Sequence, residues 1–200
     1  MLERPIPELP MTAITLPAPS ALLLIDLQRA IDHPDWGVRN NPHAETRMQA
    51  LLTRWRQRGW PVIHVRHDSL EAGSHYRPGQ PGHAFKAGFE PQADELIIAK
   101  HTNNAFVGTN LEQRLRRAGM HSLVVLGVIT NNSIEATVRM AGNLGFRVQL
   151  PADGCFTFSR RDWNGVERSA DEVHAMSLAN LDGEYCAVTD CATLLAALGE

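Results

Sequence analysis

Six short apolar runs punctuate this chain, and segments of helical period or turn-rich sequence separate them. The runs are 21–25, 61–65, 96–99, 122–128, 146–150 and 185–189. Each has the length of a strand. Strands that alternate with helices favour a parallel sheet covered on both faces. The expected fold class is therefore α/β: a three-layer α/β/α domain with a six-stranded, mostly parallel sheet. Ala21-Leu-Leu-Leu-Ile25 has no polar interruption and reads as a strand buried on both sides. Residues 146–150 alternate in polarity and read as a partly exposed strand.

Helix signals fill the gaps. Asn41 reads as an N-cap with Pro42 at the first helical position, and Gly59 closes that helix. Its apolar stripe is Met48, Leu51, Leu52 and Trp55. Thr109 and Glu112 form a capping-box pattern ahead of a helix that Gly119 ends. Asn132 and Glu135 repeat the pattern for a helix over 133–143. Further helices are expected near 169–181 and after Asp190. Residues 1–20 contain Pro5, Pro7, Pro10, Pro17 and Pro19 and read as an extended arm ahead of a single domain over 21–200. The stretch 68–94 shows no sustained period. A loop of this length inside a compact domain is usually functional.

Composition narrows the function. Hydrophobic residues are 44% of the chain and charged residues 20%, a globular balance. Nineteen Lys and Arg against 22 Asp and Glu leave a formal charge of −3, with no basic stripe. Nucleic acid is not expected as a partner. The run from Ala21 to Ile25 is too short to span a bilayer, so no membrane partner is expected either. The proline-rich start is unlike a signal peptide, and three cysteines cannot all pair with one another. Reduced thiols and a cytoplasmic location are the expectation.

In open parallel sheets, ligands bind beyond the carboxyl ends of the strands. Polar residues crowd those positions here: Asp26, His67-Asp68, Lys100, Thr130-Asn-Asn-Ser133 and Asp153-Gly-Cys155. Alone, Asp26 is more simply a turn or capping aspartate, and Lys100 a lysine that reaches solvent. Together they make a buried pair that could hold a proton or an oxyanion. Ser133 falls at a helix start, where free N–H groups could receive an oxyanion. Serine is also an ordinary helix-start residue. Cys155 could be a reactive thiol, but a small buried hydrophobe is the simpler reading. His64 and His67 are three apart on a strand and point to opposite faces, so they would not converge on a metal. No paired cysteine couples suggest zinc, and no glycine-rich strand–turn–helix motif suggests a nucleotide. Neither a metal nor a cofactor is expected.

Several segments together resemble the isochorismatase-like cysteine hydrolase superfamily. They are Leu24-Ile-Asp26-Leu-Gln28, Ala99-Lys100-His-Thr-Asn-Asn-Ala-Phe106, the run from Gly127 to Ala141, Gly145-Phe-Arg-Val148 and Ala152-Asp153. The resemblance implies a parallel sheet flanked by helices, a small-molecule substrate and a homodimer or homotetramer. It implies a catalytic Asp–Lys–Cys triad, which falls on Asp26, Lys100 and Ser133. It implies a cis peptide between Val128 and Ile129, with the Ile129 and Ser133 amides forming an oxyanion hole. The serine is a departure, because a hydroxyl ionises far less readily than a thiol. Three readings follow. Ser133 attacks a C–N amide-type bond while Asp26 takes its proton. Alternatively, Asp26 acts as general acid on a vinyl ether and no nucleophile is needed. Or the fold binds without turnover, its hydroxyl native or engineered. The region after the second strand reads Arg66-His-Asp-Ser69, without the Asp-x-His metal cluster of the superfamily's nicotinamidases. Substrate contacts are expected from Ser74 to Gly82, with Trp36 and Phe106.

Overall fold

The computed structural model describes residues 16–199. Residues 1–15 of the expected arm lie outside the described residues. Nine strands and five α-helices follow one another in the described chain. They are β1 (Ala21–Ile25), α1 (Ala44–Gln57), β2 (Val62–His67), β3 (Leu96–Lys100), α2 (Leu111–Arg117), β4 (Ser122–Val128), α3 (Glu135–Asn143), β5 (Arg147–Pro151), β6 (Cys155–Phe156), β7 (Arg160–Arg161), β8 (Glu167–Arg168), α4 (Ala170–Ala179), β9 (Ala187–Thr189) and α5 (Cys191–Ala197).

The main sheet runs β3-β2-β1-β4-β5-β9, with β6 paired to the end of β4. Every pairing in it is parallel. It has seven strands rather than six, because two-residue β6 is too short to leave a periodic signal. The β7–β8 hairpin is a separate antiparallel ribbon.

All five residues of β1 are buried. Alternate side chains leave opposite faces of a strand. Leu22 and Leu24 therefore join Met48, Leu51, Leu52 and Trp55 of α1 and Leu194 of α5 in one core. Leu23 and Ile25 join Leu111 and Leu115 of α2 and Val138 and Ala141 of α3 in the other. That division produces the three layers. Gly127 sits at φ 126 where β4 passes β1, and a Cβ there would collide with the Ile25 carbonyl oxygen. Only glycine lets the two strands approach this closely.

Several helix starts differ from expectation. The first helix begins at Ala44, and Asn41 adopts φ 45 instead of capping it. The Asn41 amide donates to the carbonyls of Cys155 at 2.7 Å and Ala152 at 3.0 Å. Thr109 makes no capping box: its hydroxyl donates to Ala105 O, and α2 begins at Leu111. Nor do Asn132 and Glu135, because residues Thr130–Ile134 form a π-turn and α3 begins after it. Asp190 does cap α5, accepting from Thr193 N at 2.7 Å. No described helix is long and apolar enough to cross a membrane.

Candidate active site

The chain order turns back between β1 and β4. The first three strands build outward in one direction, and β4, β5 and β9 build in the other. This reversal leaves a crevice at the carboxyl ends of β1 and β4, the usual place for a ligand in such sheets. Asp26 follows β1 and Ser133 lies in the π-turn after β4. Lys100, the last residue of β3, reaches the same spot.

The three side chains meet. The Lys100 ammonium donates to Asp26 Oδ2 at 2.8 Å, to the Thr102 carbonyl at 3.0 Å and to Ser133 Oγ at 3.3 Å. Lys100 is 1% exposed, and Asp26 and Ser133 are each 5% exposed. A buried charge persists only when paired and hydrogen-bonded, and these contacts meet that need for the ammonium. They do not meet it for the carboxylate: Asp26 Oδ1 is buried with no hydrogen-bond partner. Asp26 lines a cavity of about 440 Å³ together with Ser133, Val128 and Ile129. Its backbone is left-handed at φ 54, a conformation aspartate tolerates better than most residues. The Val128–Ile129 peptide is cis.

Neighbouring groups brace this arrangement. Gln28 is fully buried and donates to His67 O and His83 O while accepting from His67 N. It ties the exit of β1 to the end of β2 and to the long loop. Thr130 Oγ1 and His174 Nδ1 are 2.9 Å apart, and burial holds His174 below the usual imidazole range. Ser177 donates to Glu135 Oε2 at 2.6 Å and to Thr130 O at 3.3 Å. One face of α4 thus grips the π-turn that carries Ser133. π-Turns inside helices recur at functional sites.

Trp36 and Ser74 also line the cavity. Phe106, expected among the substrate contacts, does not; its ring stacks on Phe146 at 5.9 Å over the α2–α3 core. His75 and Tyr76 of the expected segment line the cavity too, whereas Asp35, His67, Ser69, Glu71 and Asn103 do so without having been singled out as contacts. Asn103 follows Lys100 within the quoted motif, and His67 ends β2, so position alone could have flagged both. The rest belong to irregular chain with no periodicity to read. Burial and the nearby Lys100 charge push the His67 imidazole below its ordinary range. Cys155 is fully buried and burial pushes its thiol up, so it is a packing residue. His64 faces away, with Nε2 2.8 Å from Glu95 Oε2.

A buried carboxylate, ammonium and hydroxyl thus meet at the switch point of a parallel sheet, where such folds place their ligands. The chain belongs to the isochorismatase family of hydrolases: the Isochorismatase domain model matches residues 20–193. It is 38% identical over 168 residues to the isochorismatase family protein YrdC of Bacillus subtilis, covering 84% of this chain and 90% of that protein. It is 33% identical over 138 residues to a streptothricin hydrolase of Streptomyces noursei, covering 69% of this chain and 50% of that protein. A crystal structure from Chromobacterium violaceum, described as a hydrolase of the isochorismatase family, superposes with a TM-score of 0.88 at 64% identity. That match covers 90% of this chain and 93% of the other.

Proposed function

We propose that the protein hydrolyses the C–N bond of a small amide, with Ser133 as nucleophile and Asp26 as proton carrier. The observation that carries this reading is the buried meeting of Asp26, Lys100 and Ser133, with one oxygen of the Asp26 carboxylate left unpaired. Ser133 Oγ attacks the carbonyl carbon as its proton passes to Asp26 Oδ1. The Lys100 ammonium, already hydrogen-bonded to Oγ, stabilises charge on that oxygen. The carbonyl oxygen becomes an oxyanion received by the Ile129 and Ser133 amides. Collapse breaks the C–N bond, and the amine leaves with the proton from Asp26. Water then attacks the acyl-serine ester and gives a proton to Asp26, which returns it to Ser133 Oγ. Removing the nucleophile from such a set typically lowers turnover by orders of magnitude.

Similarity to a streptothricin hydrolase supports hydrolysis, and the donor set supports acyl transfer. A screen of small amides alongside isochorismate, with Asp26→Asn as control, tests the reading. The expected result is amide turnover that falls at least about 100-fold in Asp26→Asn. Turnover of isochorismate alone would replace the amide reading with general-acid cleavage by Asp26.

A further inference from the structure

The walls of the cavity carry a charge pattern that the catalytic trio does not require. Within the trio, the charges of Asp26 and Lys100 offset one another. Beyond it, two more carboxylates line the cavity, those of Asp35 and Glu71, and no arginine or lysine among the described residues does. Asp35 is 79% exposed at the mouth, where its Oδ2 lies 3.2 Å from His33 Nδ1 and 3.8 Å from His75 Nε2. Glu71 is also exposed and makes no ion pair among the described residues. Aromatic side chains line the cavity beside these carboxylates. Trp36 is fixed by its N–H to Ala30 O at 2.8 Å, and its ring meets that of Tyr76 edge to face with centroids 6.4 Å apart. Tyr76 in turn meets the ring of His67 at 5.6 Å. Burial raises the Tyr76 phenol well above its ordinary range, and the charges of Asp26 and Asp32 push it the same way.

Carboxylates with aromatic faces attract ammonium groups and repel anions. Asp26 lines the same cavity, and its buried, unpaired Oδ1 calls for a hydrogen-bond donor. We propose that the substrate is an amide that also bears a cationic amine, its carbonyl at Ser133 and its ammonium towards Asp35 and Glu71. This inference rests on the amide-hydrolase reading and adds the charge of the substrate to it. An anionic substrate such as isochorismate, a dicarboxylate, meets the carboxylates of Asp35 and Glu71 with no arginine or lysine among the described lining residues to offset them.

Three small amides test it: β-alaninamide carries an ammonium, butanamide of the same size is neutral, and the slightly larger succinamate carries a carboxylate. The assays are run at pH 8 with EDTA, because the donor atoms of His33, Asp35 and His75 lie within 4.8 Å of one another and could take up a metal ion. The expected kcat/KM for β-alaninamide exceeds that for butanamide by about 5- to 20-fold, and succinamate falls below both. The double substitution Asp35→Asn with Glu71→Gln brings β-alaninamide down to the level of butanamide. Raising ionic strength from 0.05 to 0.5 M narrows the same gap. Equal rates for β-alaninamide and butanamide, or a preference for succinamate, would overturn the inference and leave the amide-hydrolase reading standing. Failure to turn over any of the three would count against that reading. The charge preference would then be decided by calorimetric binding of the same three probes to Ser133→Ala. Binding of succinamate as tight as that of β-alaninamide would overturn it.

Discussion

At the scale of single residues, the site is decided by what each buried polar atom finds. Lys100 donates to three oxygens and is satisfied. Asp26 has one oxygen paired and one left over. An orphaned carboxylate oxygen costs stability, and such costs persist where a ligand or a reaction uses them. Ser133 is the weakest member, because a hydroxyl needs its proton removed during attack while a thiol can be ionised beforehand. Ser133→Cys, with Lys100 already in contact at this position, is expected to raise amide turnover by about tenfold or more, most clearly above neutral pH. A pH–rate profile of the variant checks this. A variant as slow as Ser133→Ala would contradict it. Asp26 and Lys100 stood out in the sequence because one directly follows and the other ends an apolar run, whereas Ser133, five residues past the end of β4, was singled out with them by the family resemblance. The unpaired oxygen was not, because it depends on which atom of the carboxylate Lys100 takes.

At the scale of elements, strands were more legible than helix starts. A strand buried on both faces leaves an unbroken apolar run, and β1 and β4 do so. Helix starts depend on partners elsewhere in the chain. Asn41 abandons its expected cap for carbonyls more than a hundred residues away. Glu135 pairs with Arg139 and Ser177 instead of closing a capping box. At the far end of the sheet, Glu95 joins β3 to α1 and β2 through Arg56 at 2.7 Å and His64 at 2.8 Å. Burial pushes the Glu95 carboxyl up, but Arg56, the Gln92 N–H and His64 outweigh it and bring it to about 2. A carboxylate whose folded pKa is depressed stabilises the fold above its unfolded value, and that contribution fades as pH falls through the folded one. The window therefore runs from about 4.5 down to about 2. Glu95→Gln is expected to lower the melting temperature at pH 7. The gap from the parent protein should close as both are melted at successively lower pH through that window. A gap that stays constant down to pH 2 would contradict the assignment.

At the scale of the whole molecule, topology assembles the site. The order β3-β2-β1-β4-β5-β9 brings the ends of β1 and β4 together, although 96 residues of sequence lie between Ile25 and Ser122. The three-layer plan was legible from the alternation of strands and helices. The cavity wall was less so, because Ser69 to Tyr76 belong to a long irregular loop whose residues carry no period, and Phe106 turned to the core instead. The central claim is that Ser133 becomes covalently acylated. Acid-quenched intact-mass spectrometry during turnover of β-alaninamide, followed by peptide mapping, tests it most directly. The account predicts a mass increase equal to the acyl group on the peptide containing Ser133, absent in Ser133→Ala, which also loses turnover. A Ser133→Ala protein that hydrolyses the amide at the parent rate would contradict it.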